Sequence, residues 1–183
     1  MRVKDNRTFT LAWNAMCSFM SARSLVNIIH EQRLGQQDPR TAVVFGAIAG
    51  YYAAPFMPTN KLGQLPKSIV PAQYKIRHKD LMDLRNKVFL HLDKDVQFDG
   101  RSSVTNLRVT IDQDSDGVMI EAKSWTPTPV ILSEITALLG LLIKDLHASA
   151  MQYAHASLSR ACVTPGAYRL KTDGDSFELE LDT

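Results

Sequence analysis

Apolar residues recur along this chain in two rhythms, and the change between them organises it. From about Phe9 to Gln32, the residues Phe9, Trp13, Met16, Phe19, Met20, Ile28 and Ile29 fall at helical intervals and predict a long first helix, ended by Gly35. Asp38-Pro39 is a start signal: an N-cap side chain, then a proline whose missing N–H costs nothing in the first turn. The second helix, about Pro39 to Ala54, is apolar nearly all round and is expected at the buried centre of a bundle. Its Gly46 and Gly50, four apart, would allow close approach of another helix. A proline-bearing connector, Pro55 to Pro66, leads to a third helix over roughly Pro71 to His91, with Tyr74, Leu81, Leu84, Val88 and Leu92 as its apolar stripe. A fourth, about Pro129 to Ala161, carries Ile131, Ile135, Leu138, Leu139, Leu142 and Leu146 on one broad face.

The second rhythm has period two. Leu107 to Ile111 and Val118 to Ala122 alternate around Asp114-Ser115-Asp116-Gly117, the pattern of a β-hairpin. Alternation returns at Tyr168 to Leu170 and Phe177 to Leu181 around Asp173-Gly174, a second strand pair. Lys94 to Ser103 reads as the connector between the helices and the first hairpin. The expected architecture is mainly α: a four-helix bundle with a small antiparallel β appendage, in one domain over residues 1–183.

Composition narrows the class without naming a function. At 45% hydrophobic and 22% charged, the 183 residues are those of an ordinary globular chain. The net charge of +2 is too small to announce nucleic-acid binding, so any such surface would be local. The most apolar run, Thr41 to Phe56, is short for a membrane span and is closed by Pro55 and Pro58, and the polar N-terminus lacks a signal-peptide core. Cys17 and Cys162 lie far apart without metal-ligand spacing, so neither a zinc set nor a disulfide framework is expected, and a reducing cytoplasmic setting fits. Cys17, among Met16, Phe19 and Met20, is expected in the core.

The chemistry concentrates on the third helix. Lys75, Arg77, His78, Lys79, Arg85 and Lys87 make its outer faces moderately basic, with Asp80 and Asp83 partly neutralising them. Arg85 can grip a phosphate with two parallel hydrogen bonds at any pH, and His91 can move a proton near neutrality. The plain alternative is structural: Arg85 pairs with Asp83 or Asp93, and His91 complements the helix end. At roughly 100° per residue, positions six apart stand about 120° from each other around the axis. Arg85 and His91 therefore converge only across a wide groove, at a frayed helix end, or with a second copy of the site from a symmetric partner.

The string Leu84-Arg85-Asn86-Lys87-Val88-Phe89-Leu90-His91-Leu92-Asp93 resembles the signature helix of the HEPN superfamily: Arg, often a polar residue next, then His after a short interval, five residues here. Upstream, Tyr52-Ala53-Ala54-Pro55-Phe56 resembles the Tyr-x-x-Pro-Phe end of the second helix in its abortive-infection and toxin–antitoxin branches, and His78 fits the same branch. The resemblance covers about Thr41 to Asp93 and implies a helical bundle dimerising with its Arg and His elements at the interface. It further implies a metal-independent endoribonuclease using the RNA 2′-hydroxyl as nucleophile, in a stress-response or phage-defence setting. His91 would then be general acid or base, Arg85 would stabilise the phosphate charge, and Asn86 would orient either. Lys87 and His78 would be secondary contacts to RNA phosphate. No cofactor is implied; an antitoxin or other protein partner is. Silent members of the superfamily also imply an alternative, a non-catalytic module binding nucleic acid, a nucleotide or a protein.

Two other patterns carry less. Asp112-Gln113-Asp114-Ser115-Asp116-Gly117 begins like a calcium loop, but Lys123 stands where a bidentate Glu is needed. His147 and His155, two turns apart, are too distant to share a metal.

Overall fold

A computed structural model describes residues 2–4, 7–35, 38–58, 63–89, 97–98, 101–102, 105–112, 117–124, 127–158, 168–173 and 176–181. It is mainly helical. Helix α1 spans Arg7–Glu31, α2 Pro39–Ala53, α3 Lys75–Asp83 and α4 Pro129–Leu158. Helix α1 buries Ala12, Ala15, Met16, Phe19, Ala22, Val26 and Ile29, a stripe at intervals of three and four. That stripe is rotated from the expected one: Trp13 and Met20 are 44% and 50% exposed, and Cys17 is exposed rather than in the core. Alanines at 12, 15 and 22 take the inward positions because they let neighbouring helices pack close.

Helix α1 ends in a Schellman turn. The Leu34 N–H donates to the Ile29 carbonyl at 3.0 Å and the Arg33 N–H to the His30 carbonyl at 3.1 Å, while Leu34 and Ile29 are both buried. The left-handed residue in that turn is Arg33, at φ +50°, where glycine is usual. Helix α2 starts as the Asp-Pro signal predicts: Asp38 accepts from the Arg40 N–H at 2.9 Å, with Pro39 in the first turn. The Arg40 side chain also donates to Asp38, and these bonds hold the carboxyl below its usual range. Pro55 turns the end of α2 into a single 3-10 turn, Ala54–Phe56.

The expected centrality of α2 is only half correct. Phe45, Ile48, Ala49, Tyr52 and Ala53 are buried, yet Val43 is 73% and Tyr51 47% exposed, with Ala47 and Ala54 exposed beside them. An unbroken apolar sequence covers both an inward and an outward face.

The third helical segment is not one helix. Two 3-10 turns, Lys67–Ile69 and Ala72–Tyr74, lead into the short α3, and a π-turn over Leu84–Phe89 follows directly. Leu81 and Leu84 reach zero exposure and anchor the segment to the core. Helix α4 is capped by Thr128, whose Oγ1 accepts from the Ile131 N–H at 3.3 Å, and it buries Ile131, Ile135, Leu138, Leu139, Leu142 and Leu146. Phe9 meets Tyr153 at 6.0 Å between ring centres, while Ile29 and Leu132 line one cavity, so α1 and α4 run antiparallel. Each fully buried Leu, Ile or Phe of this core contributes about 1.5–3 kcal/mol through the surface it removes from water.

Backbone pairing defines the strands. β1 (Arg2–Lys4), β6 (Tyr168–Asp173) and β7 (Ser176–Leu181) form an antiparallel sheet in the order β1-β7-β6, with Val3 opposite Phe177. β2 (Gln97–Phe98) pairs with β3 (Arg101–Ser102), and β4 (Thr105–Asp112) pairs with β5 (Gly117–Ser124) from Asp112↔Gly117 to Thr105↔Ser124.

Candidate functional site

The site is built where α2 meets α3 and the π-turn. Tyr52, on the inward face of α2, is fully buried; its hydroxyl lies 2.8 Å from Nδ1 of His78 on α3. Phe56 packs edge-on against the same imidazole at 4.7 Å between ring centres, and Phe19 of α1 meets both Tyr52 and Phe56. Burial, reinforced by the Lys67 ammonium, pushes the His78 pKa down, and burial pushes that of Tyr52 up. Both groups are therefore neutral near pH 7, and a single proton bridges them. The residues of the Tyr-x-x-Pro-Phe string and His78 form one cluster. Its position makes His78 a buried link between α2 and α3, with the nitrogen facing Tyr52 unavailable to a phosphate.

One residue earlier, Arg77 is equally buried. Its Nε and Nη2 donate to Glu134 of α4 at 3.1 and 2.7 Å, and Nη1 donates to Asp80 at 3.2 Å. The sequence pattern puts Arg77 on a basic outer face and marks no role for Glu134, whereas the fold buries Arg77 against it. Fifty-seven residues separate the pair, and no local spacing signals it. Together Arg77 and His78 tie α3 to both neighbouring helices and so fix the direction in which the next turn leaves.

That next turn carries Arg85 and Asn86, both half-buried, and Arg85 Nη1 donates to Asn86 Oδ1 at 2.8 Å. Asp83, the nearer acid expected to neutralise Arg85, is engaged instead by Lys79 at 3.3 Å. Among the described residues, the partner of Arg85 is thus a neutral amide, which orients the guanidinium without cancelling its charge. π-Turns interrupt the regular helical ladder and occur disproportionately at functional positions. Lys87 lies on the same turn by its backbone, while His91 and Asp93 lie outside the described residues.

Elsewhere, no group of three or more His, Cys, Asp or Glu side chains stands close enough to hold a metal ion, and no helix is long and apolar enough to cross a membrane, both among the described residues. His147 is exposed on α4. Comparison with models of protein families, with curated proteins and with solved structures gives no match.

Proposed function

We propose that this protein is a HEPN-like, metal-independent endoribonuclease acting in stress response or phage defence, a helical bundle with a β appendage working as a homodimer in the cytoplasm. The observation that carries the reading is the state of Arg85: a half-buried guanidinium on a π-turn, steadied by Asn86 and not neutralised by Asp83. A cation kept in that condition suits a phosphate that gains charge as the phosphodiester is attacked. In this reading the RNA 2′-hydroxyl attacks the adjacent phosphorus and the 5′-oxygen leaves. His91 takes or returns the proton, Arg85 holds a non-bridging oxygen, Asn86 aims Arg85, and Lys87 adds field to the RNA backbone. His78, its Nδ1 held by Tyr52, takes a positioning role in this reading in place of the phosphate contact that the resemblance implies.

RNA cleavage in excess EDTA by wild type, Arg85→Ala and His91→Ala tests the assignment. Each substitution should lower the rate at least about 100-fold, the usual scale for losing an acid–base or charge-stabilising group. Equal rates in all three proteins would sink it.

A second reading draws on the basic side chains that are already committed. Arg77 is held by Glu134 and Asp80, and Lys79 by Asp83, which leaves α3 a weaker electrostatic footprint than its sequence suggests. Within the alternative of a non-catalytic module for nucleic acid, a nucleotide or a protein, that favours the protein, such as an antitoxin. Stable capture of a protein partner with no RNA cleavage product would select it.

A further inference from the structure

A cavity of about 310 Å³ opens where α1 ends and α4 begins, and no residue of the Arg85 turn lines it. Ile29 and Leu34 of the Schellman turn form an apolar floor with Leu132 of α4, and all three are buried. Pro127 and Pro129 add two rings to the wall, neither with an N–H to satisfy. His30 and Arg33, both exposed, supply the polar side. Neither side chain has a hydrogen bond or ion pair among the described residues. The acids of the surrounding elements do not answer them. Asp38 is gripped by Arg40 and Glu134 by Arg77, while Glu31 lies outside the lining and forms no ion pair among the described residues. The carbonyls of the turn are engaged as well. Those of Ile28, Ile29 and His30 accept from the N–H groups of Gln32, Leu34 and Arg33, and that of Gly35 accepts from Asp38 and Thr41. The cavity therefore offers donors and positive charge above an apolar floor.

We infer that this cavity binds a small monocarboxylate with an apolar body, its carboxylate on Arg33 and His30 and its body on Ile29, Leu34 and Leu132. Size sets the first limit. At about 30 Å³ per water the volume equals that of roughly ten waters, near the lower end of ligand cavities, so the ligand has about ten non-hydrogen atoms. Charge sets the second. One guanidinium fork matches the two oxygens of one carboxylate, and one imidazole N–H adds a further hydrogen bond. A phosphomonoester brings more charge and more oxygens than this rim pairs. A phosphodiester backbone has no apolar end to lay on the floor, which separates this cavity from RNA contacts. Helix α4 begins at the wall through Pro129, so the positive end of its dipole adds to the same field. Arg33 also holds its place at a cost, since its φ of +50° is one that glycine takes freely and arginine does not. Such strain persists where the surrounding structure enforces it, and it concentrates at ligand sites.

The inference stands apart from the nuclease reading, because its readout contains no RNA. The full chain, labelled with nitrogen-15, is titrated with trans-cinnamate and followed by its amide chemical shifts. Binding should saturate with a Kd below about 1 mM, and the shifted amides should cluster at residues 29–35 and 130–133. Cinnamamide, which keeps the body and loses the charge, should bind at least about ten-fold more weakly. Phenyl phosphate should bind no more tightly than cinnamate. Arg33→Gly should weaken cinnamate at least about ten-fold and His30→Ala several-fold, while Lys144→Ala, exposed farther along α4, leaves the Kd unchanged. Thermal unfolding of each variant separates a lost contact from a lost fold, and Arg33→Gly is expected to unfold no earlier than wild type. Absence of saturable binding, equal affinity for cinnamamide, tighter binding of phenyl phosphate, or an Arg33→Gly protein that binds as wild type does would each overturn the inference.

Discussion

At the scale of single residues, the Tyr52–His78 contact makes predictions that do not depend on any enzymatic activity. Tyr52→Phe keeps the ring and deletes the hydroxyl, leaving buried Nδ1 of His78 without its partner. The expected cost is about 1–3 kcal/mol, read from the urea midpoint. His78 also links stability to pH. Its folded pKa is depressed by burial and by Lys67, so on acidification the unfolded chain takes up a proton before the folded one does. This contribution is complete above the ordinary value of 6.5 and is lost as pH falls through the lower folded value. Urea midpoints of wild type should therefore decline between about pH 7 and pH 5 more steeply than those of His78→Gln; parallel declines would remove His78 from this account.

At the scale of elements, Arg77 is the clamp between α3 and α4. Arg77→Ala removes the guanidinium bonded to nearly buried Asp80 at 3.2 Å, while Glu134, about half-exposed, can turn to water. A loss of about 2–3 kcal/mol is expected, below the full cost of breaking a wholly buried pair. Lys79→Ala, which removes an exposed partner, should change stability by less than about 1 kcal/mol. Arg33→Gly should stabilise the end of α1 by roughly 0.5–1 kcal/mol, because glycine takes the left-handed φ at little cost. A neutral or negative effect on thermal unfolding would show that the Arg33 side chain contributes something the turn geometry does not require.

The helices were legible because local rules suffice for them: Asp38-Pro39 starts α2 where its capping chemistry says, and the apolar intervals locate α1, α2 and α4 and place α3 inside a longer expected helix. Which face turns inward was less legible. Trp13, Met20 and Tyr51 are apolar and exposed, while alanines beside them are buried, since close helix approach depends on size as well as hydrophobicity. The π-turn after Asp83 left no trace in the pattern, because one widened turn disturbs the apolar intervals too little to notice.

At the scale of the whole molecule, the motif residues were readable but their assembly was not. Tyr52, Phe56 and His78 stand out as a sequence pattern, yet their meeting depends on how α2 and α3 pack, which spacing along the chain does not encode. The same packing aims the π-turn and leaves Arg85 paired with an amide, the condition on which the proposed chemistry rests. The most direct measurement compares one labelled oligonucleotide as RNA and as its 2′-deoxy counterpart, each incubated with wild type in EDTA. The RNA should be cut to fragments ending in a 2′,3′-cyclic phosphate while the deoxy strand stays intact. Equal cutting of both strands, or RNA cut only when a divalent metal is supplied, would contradict the proposed chemistry.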